Sequence, residues 1–78
     1  MQKITSKSNY NFVRIYILKI LHLTFKVSNY NGIQSWYEGD KKRLYFIEIN
    51  FKEGEPITLE YTNRKTWIHI LKLIDDCI

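Results

Sequence analysis

The 78-residue chain has no alanine, one cysteine, one proline, one methionine and only three glycines. Each scarcity excludes something. A lone Cys77 rules out an intramolecular disulfide, so nothing covalent staples the fold, and the usage points to a reducing compartment. Without alanine there is no A-x-A-like cleavage site of a secretory leader. Three scattered glycines form neither a P-loop nor a dinucleotide-binding fingerprint. Long apolar runs are missing as well. Phe12 to Val27 is the most apolar segment, but Arg14, Lys19, His22 and Lys26 interrupt it well before the roughly 20 residues that a spanning helix needs. The expectation is a cytoplasmic chain without a membrane partner.

What is present is the composition of a folded domain. Hydrophobic residues make up 45% and charged residues 26%, the balance of a soluble globular chain. At this length one domain is expected, burying only about 60 to 65% of its unfolded surface and retaining a few kcal/mol of net stability. A deep enclosed active site is hard to build on that scale. The net charge of +4 favours encounter with acidic partners.

Taken in order, residues 1–11 read as a polar, flexible lead-in and residues 12–78 as the single domain. From Val13 to Val27 the odd positions are apolar except Lys19, a period of two with β-branched and aromatic content that predicts strand. A helix over Phe12 to Leu21 is the competing reading. One strand of that length would run about 50 Å at ~3.3 Å per residue, so a break or bulge is expected around Leu18 to Leu21. Asn31-Gly32 predicts a tight hairpin turn, Ile33 to Glu38 a short strand, and Glu38 to Lys41 a second turn.

Arg43 to Ile74 is the clearest part of the chain. Tyr45, Ile47, Ile49 and Phe51 alternate with Leu44, Phe46, Glu48 and Asn50. After a Gly54 loop and Pro56, Ile57, Leu59 and Tyr61 alternate with Thr58, Glu60 and Thr62. Asn63 is placed as an N-cap. The following helix carries Trp67, Ile70, Leu71, Ile74, Cys77 and Ile78 as one stripe, with Trp67 anchoring it to the sheet. The fold predicted is α+β: an antiparallel meander of four to five strands with one C-terminal amphipathic helix packed on one face.

Chemistry finds little support. His22, His69 and Cys77 are too scattered for a zinc site, which needs about four converging ligands. Nucleophilic catalysis requires a base that is itself held by a third group, but Cys77 is the penultimate residue of a terminus expected to fray and neither histidine sits in a recognisable motif. Glu48 and Glu60 come out as neighbours on the solvent face of a hairpin, where two carboxylates are ordinarily solvated. No catalytic residue, metal or cofactor is expected, and the chain is read as a non-enzyme.

Two surfaces remain. Leu18, Ile20, Leu44 and Phe46 fall in the even register, opposite the face that the helix is expected to cover, and large apolar groups left in water mark interaction sites. Either the N-terminal segment or another chain must cover them. The other surface is a basic and aromatic cluster around two turns, Tyr30, Trp36, Tyr37, Lys41, Lys42 and Arg43, which has the cations and rings that nucleic-acid binding uses. The leading expectation is a small module of inhibitor or adaptor type that binds a protein, itself or a larger target. The alternative is a nucleic-acid-binding protein, and a small enzyme comes third. Richness in Lys, Ile and Asn suggests an AT-rich coding genome of the phage or mobile-element kind.

Overall fold

The computed structural model describes residues 3–6 and 11–78. In chain order these form β1 (Ile4–Ser6), β2 (Phe12–Ile17), β3 (Ile20–Lys26), a 3-10 turn at Val27–Asn29, β4 (Tyr30–Glu38), β5 (Leu44–Phe51), β6 (Ile57–Tyr61) and α1 (Arg64–Cys77). The class is α+β, as predicted. The six strands exceed the four to five expected, and they divide between two antiparallel three-stranded sheets, β1-β2-β3 and β4-β5-β6.

The additional strand comes from the stretch predicted as a lead-in. Ile4 pairs with Ile17 and Ser6 with Ile15, and the Leu18 amide donates to the Lys3 carbonyl at 2.8 Å. Ile4 is apolar enough to pack against the core, which is what holds so short a strand in place. The remainder of that predicted lead-in, residues 1–2 and 7–10, lies outside the described residues.

The division into two sheets happens at the predicted Asn31-Gly32 hairpin. No hairpin forms there, because β3 and β4 do not pair. The chain instead crosses between sheets through the 3-10 turn, and Asn29 fixes the crossing. Its carbonyl accepts from the Lys52 amide at 2.8 Å. Its side chain accepts from the Glu53 amide and donates to the Glu53 carbonyl, both at 3.0 Å. Gly32, at φ 134°, serves a register shift at the start of β4.

One core joins the two sheets. Val13, Ile15, Leu23 and Phe25 from the first, Tyr45, Ile47, Ile49 and Tyr61 from the second, and Ile70 and Ile74 of α1 are its buried members. The helix touches β1 and β2 on one side and β5 and β6 on the other. It therefore spans both sheets, where packing on one face of one sheet was expected. The Asn63 cap is as predicted, its Oδ1 accepting from the amides of Lys65 at 2.8 Å and Thr66 at 3.2 Å. Trp67 anchors α1 by donating its indole N–H to the Phe46 carbonyl at 2.9 Å, with its ring against Tyr45.

Two turns are built differently. In the β4–β5 loop Gly39 has φ 94°, and a Cβ there would run into the backbone carbonyl oxygen of Lys42. The break expected around Leu18 to Leu21 is a two-residue hairpin turn, with Ile17 paired to Ile20. Leu18 and Lys19 both take positive φ, 52° and 67°. That is the twist a tight hairpin needs, ordinarily supplied by Asn-Gly, and for residues with a full side chain it costs about 1 kcal/mol or more each.

Opposite outcomes are expected at these turns. Leu18→Asn with Lys19→Gly should stabilise the fold by about 1 kcal/mol, seen as a rise in Tm of about 4 to 8 °C. Gly39→Ala should destabilise it by more than about 1 kcal/mol in urea titration, since both φ and space oppose the new methyl.

Candidate functional site

The four apolar candidates do not share a sheet. Leu18 and Ile20 lie at the β2–β3 tip of the first sheet, and Leu44 and Phe46 lie on β5 of the second. The single patch read from the even register is therefore two separate places.

At the tip, exposure is high: 57% for Leu18, 71% for Ile20 and 50% for Leu21. A β-bulge explains why Leu21, in the inward register by sequence, faces solvent. Ile15 pairs with Leu23, but Tyr16 pairs with Leu21, leaving His22 as the additional residue on β3. Paired residues share a face, so beyond the bulge the alternation changes phase. Ile17 and Ile20 take the core side there, and Ile20 lies past the end of the core. No glycine or proline marks the bulge, and the only break in the odd register is Lys19, in the turn itself.

Bulging re-aims His22 at the second sheet. Its Nε2 lies 2.6 Å from the hydroxyl of Tyr61 on β6, and the rings are 5.7 Å apart. Burial holds the imidazole below its ordinary value of 6.5 and pushes the Tyr61 phenol up to about 12. With the imidazole depressed and the phenol raised, the hydrogen-bonded pair is uncharged at neutral pH. It closes one wall of a groove of about 890 Å³ whose lining includes Glu60, Lys65, Thr66 and His69. A second groove of about 480 Å³ runs between Tyr30, Ile33 and the end of α1, where burial, and then the Asp75 carboxylate, raise the Tyr30 pKa.

On the outer face of the second sheet, Phe46 pairs with Trp36 on one side and Glu60 on the other. The Trp36 and Phe46 rings stack at 5.2 Å with 14° between planes, so Trp36 is what covers Phe46. Leu44 stands opposite Glu38, and Glu48 opposite Gln34. The neighbourly Glu48 and Glu60 of the sequence reading are present as diagonal neighbours across β5 and β6.

The structure disperses the basic and aromatic candidates. Tyr30 packs inward against Phe25, and Trp36 belongs to the stack just described. Tyr37 is exposed and carries the Arg43 guanidinium over its ring at 4.8 Å. Lys41 and Lys42 are exposed in the loop that Gly39 shapes. Only Tyr37, Lys41, Lys42 and Arg43 thus share one place, the end of the second sheet. Among the described residues no group of three His, Cys, Asp or Glu is placed to hold a metal ion, and no helix is long and apolar enough to cross a membrane.

The His22 pKa gives a pH dependence with a definite sign. A histidine depressed in the folded state contributes fully above its ordinary pKa, and that contribution is lost as pH falls through the folded value. Urea unfolding from about pH 7.5 down to about pH 5.5 should show declining stability, and His22→Gln should flatten that decline. An equal slope in the variant would remove His22 as its source.

No family model matches the chain, and no curated protein and no solved structure is significantly similar to it.

Proposed function

We propose that this chain is a small non-enzymatic interaction module, of inhibitor or adaptor type, that binds a protein partner by inserting the β2–β3 tip into an apolar recess. The observation that carries this reading is the tip itself. Leu18, Ile20 and Leu21 expose aliphatic surface at one end of the molecule, on a turn whose Leu18 and Lys19 both hold positive φ. A tight turn is most stable with Asn-Gly and a polar apex. Here a local rule is broken with no gain to the core, and such violations collect at functional sites.

The chemistry of such an interface is burial of side chains. Each aliphatic group taken from water contributes about 1.5 to 3 kcal/mol, and about 1.4 kcal/mol is a tenfold change in affinity. A two-residue turn presents these groups with little freedom left to lose, which lowers the cost of ordering them on binding.

The test uses the full chain and its Ile20→Ser and Leu21→Ser variants, both at exposed positions that leave the core intact. Light scattering first shows whether the wild type self-associates and whether either variant abolishes it. A target captured from host extract is then purified and titrated by calorimetry. The expected result is a loss of about tenfold or more for each variant, with circular dichroism unchanged. Equal binding by both variants would remove the tip. Retention of nucleic acid alone, lost on replacing Lys41, Lys42 and Arg43 by Ala, would transfer the function to the end of the second sheet.

A further inference from the structure

Charge is segregated between the two sheets in a way that the net value of +4 conceals. The first thirty-seven residues contain no acidic side chain at all, so β1, β2 and β3 carry Arg14 and Lys26 with nothing to oppose them. The strands of the second sheet are the reverse. They contain Glu38, Glu48 and Glu60 and no Lys or Arg. By register all three carboxylates lie on the outer face, around the stacked Trp36 and Phe46. Among the described residues none of the three has a cation paired to it.

The geometry is that of a cation receptor. Cross-strand neighbours stand about 4.5 to 5.5 Å apart at Cβ, so Glu60 flanks Phe46 directly, Glu48 is the diagonal neighbour of both Trp36 and Glu60, and Glu38 is two residues along β4 from Trp36. An indole is the strongest of the aromatic platforms for a cation, and Arg uses it most often. Because β4 is the edge of its sheet, among the described residues no strand lies beyond Trp36 on the side away from Phe46. That edge is nine residues long and contains neither proline nor lysine, two of the devices by which exposed edges are protected from pairing.

We infer that the outer face of the second sheet, with the β4 edge, binds an extended protein segment bearing Arg or Lys at alternate positions. The segment adds to the edge through main-chain hydrogen bonds. Every second side chain then lands on the outer face, where its cation lies over Trp36 between carboxylates. This site is separate from the β2–β3 tip, so either can fail without the other. The charge pattern also orients the encounter. The strands of the first sheet, with Arg14 and Lys26 and no carboxylate, repel a cationic segment, and this face draws it in.

The experiment is titration of the isotope-labelled protein, at low ionic strength, with the hexapeptide Arg-Thr-Arg-Thr-Arg-Thr. The control replaces each Arg by Glu. Amide and indole resonances should shift at Trp36, Phe46 and along β4 for the Arg peptide only. Affinity should fall about tenfold in the Glu48→Gln, Glu60→Gln double variant, whose substitutions are exposed or half-buried and keep the fold. It should also fall with added salt, and amide exchange along β4 should slow in the complex. Absence of shifts on this face, shifts centred on Asp75 and Asp76 instead, or equal binding by the double variant would overturn the site. The tip variant Ile20→Ser should bind the peptide like the wild type, so loss of either surface is read independently.

Discussion

Everything in this molecule depends on α1 being shared. Neither three-stranded sheet has enough partners to bury its own inner face, and small sheets need a packed helix or another layer for stability. Ile70 and Ile74 supply it for both at once, completing a core to which each sheet gives four residues. The Trp67 indole bond to the Phe46 carbonyl sets where the helix lies along β5, and the Asn63 cap sets where it begins. With a helix common to both sheets, the crossing at Asn29 has to be rigid as well. Its three hydrogen bonds to Lys52 and Glu53 tie the start of the second sheet to the far end of β5.

That sharing separates what was legible in the sequence from what was not. β5, β6 and α1 could be read because each obeys one uninterrupted period and ends in a recognisable signal: Gly54 and Pro56, then Asn63. The odd register of β2 and β3 was legible too, and Val13, Ile15, Leu23 and Phe25 are buried. What failed was non-local. A strand pattern does not say which sheet it joins, so Asn31-Gly32 read as a hairpin where the chain changes sheets. Ile4 stands among polar neighbours with no alternation to mark a strand, yet pairing with Ile17 suffices. The bulge at His22 leaves no composition signal, and it alone reverses the facing of Leu21.

The candidate surfaces show the same limit. Even register correctly set Leu44 and Phe46 apart from the core, but it grouped them with Leu18 and Ile20 across a sheet boundary that periodicity does not contain. Trp36 adjoins the basic turn in sequence, whereas its pairing with Phe46 gives it carboxylates as neighbours. Sequence proximity to Lys41, Lys42 and Arg43 was the wrong guide, because alternation in a strand sends adjacent residues to opposite faces. Tyr37 and Trp36 are consecutive. One stacks under Arg43, the other on Phe46.

The two proposed surfaces differ in what holds them open. The outer face of the second sheet is stable as it stands: Trp36 shields Phe46, and the carboxylates are solvated. The β2–β3 tip is not at a local optimum, since a turn with Asn-Gly in place of Leu18 and Lys19 would relieve the positive φ and remove exposed aliphatic surface together. In a chain with only a few kcal/mol to spare, about 1 kcal/mol per strained residue is a large fraction of the whole. Proteins remain just above the stability they need, and stabilising changes are common where function does not forbid them. A tip that combines strain with three exposed aliphatic groups is therefore best explained by something that receives those groups. It is also why that tip, and not the unstrained sheet face, carries the proposed function.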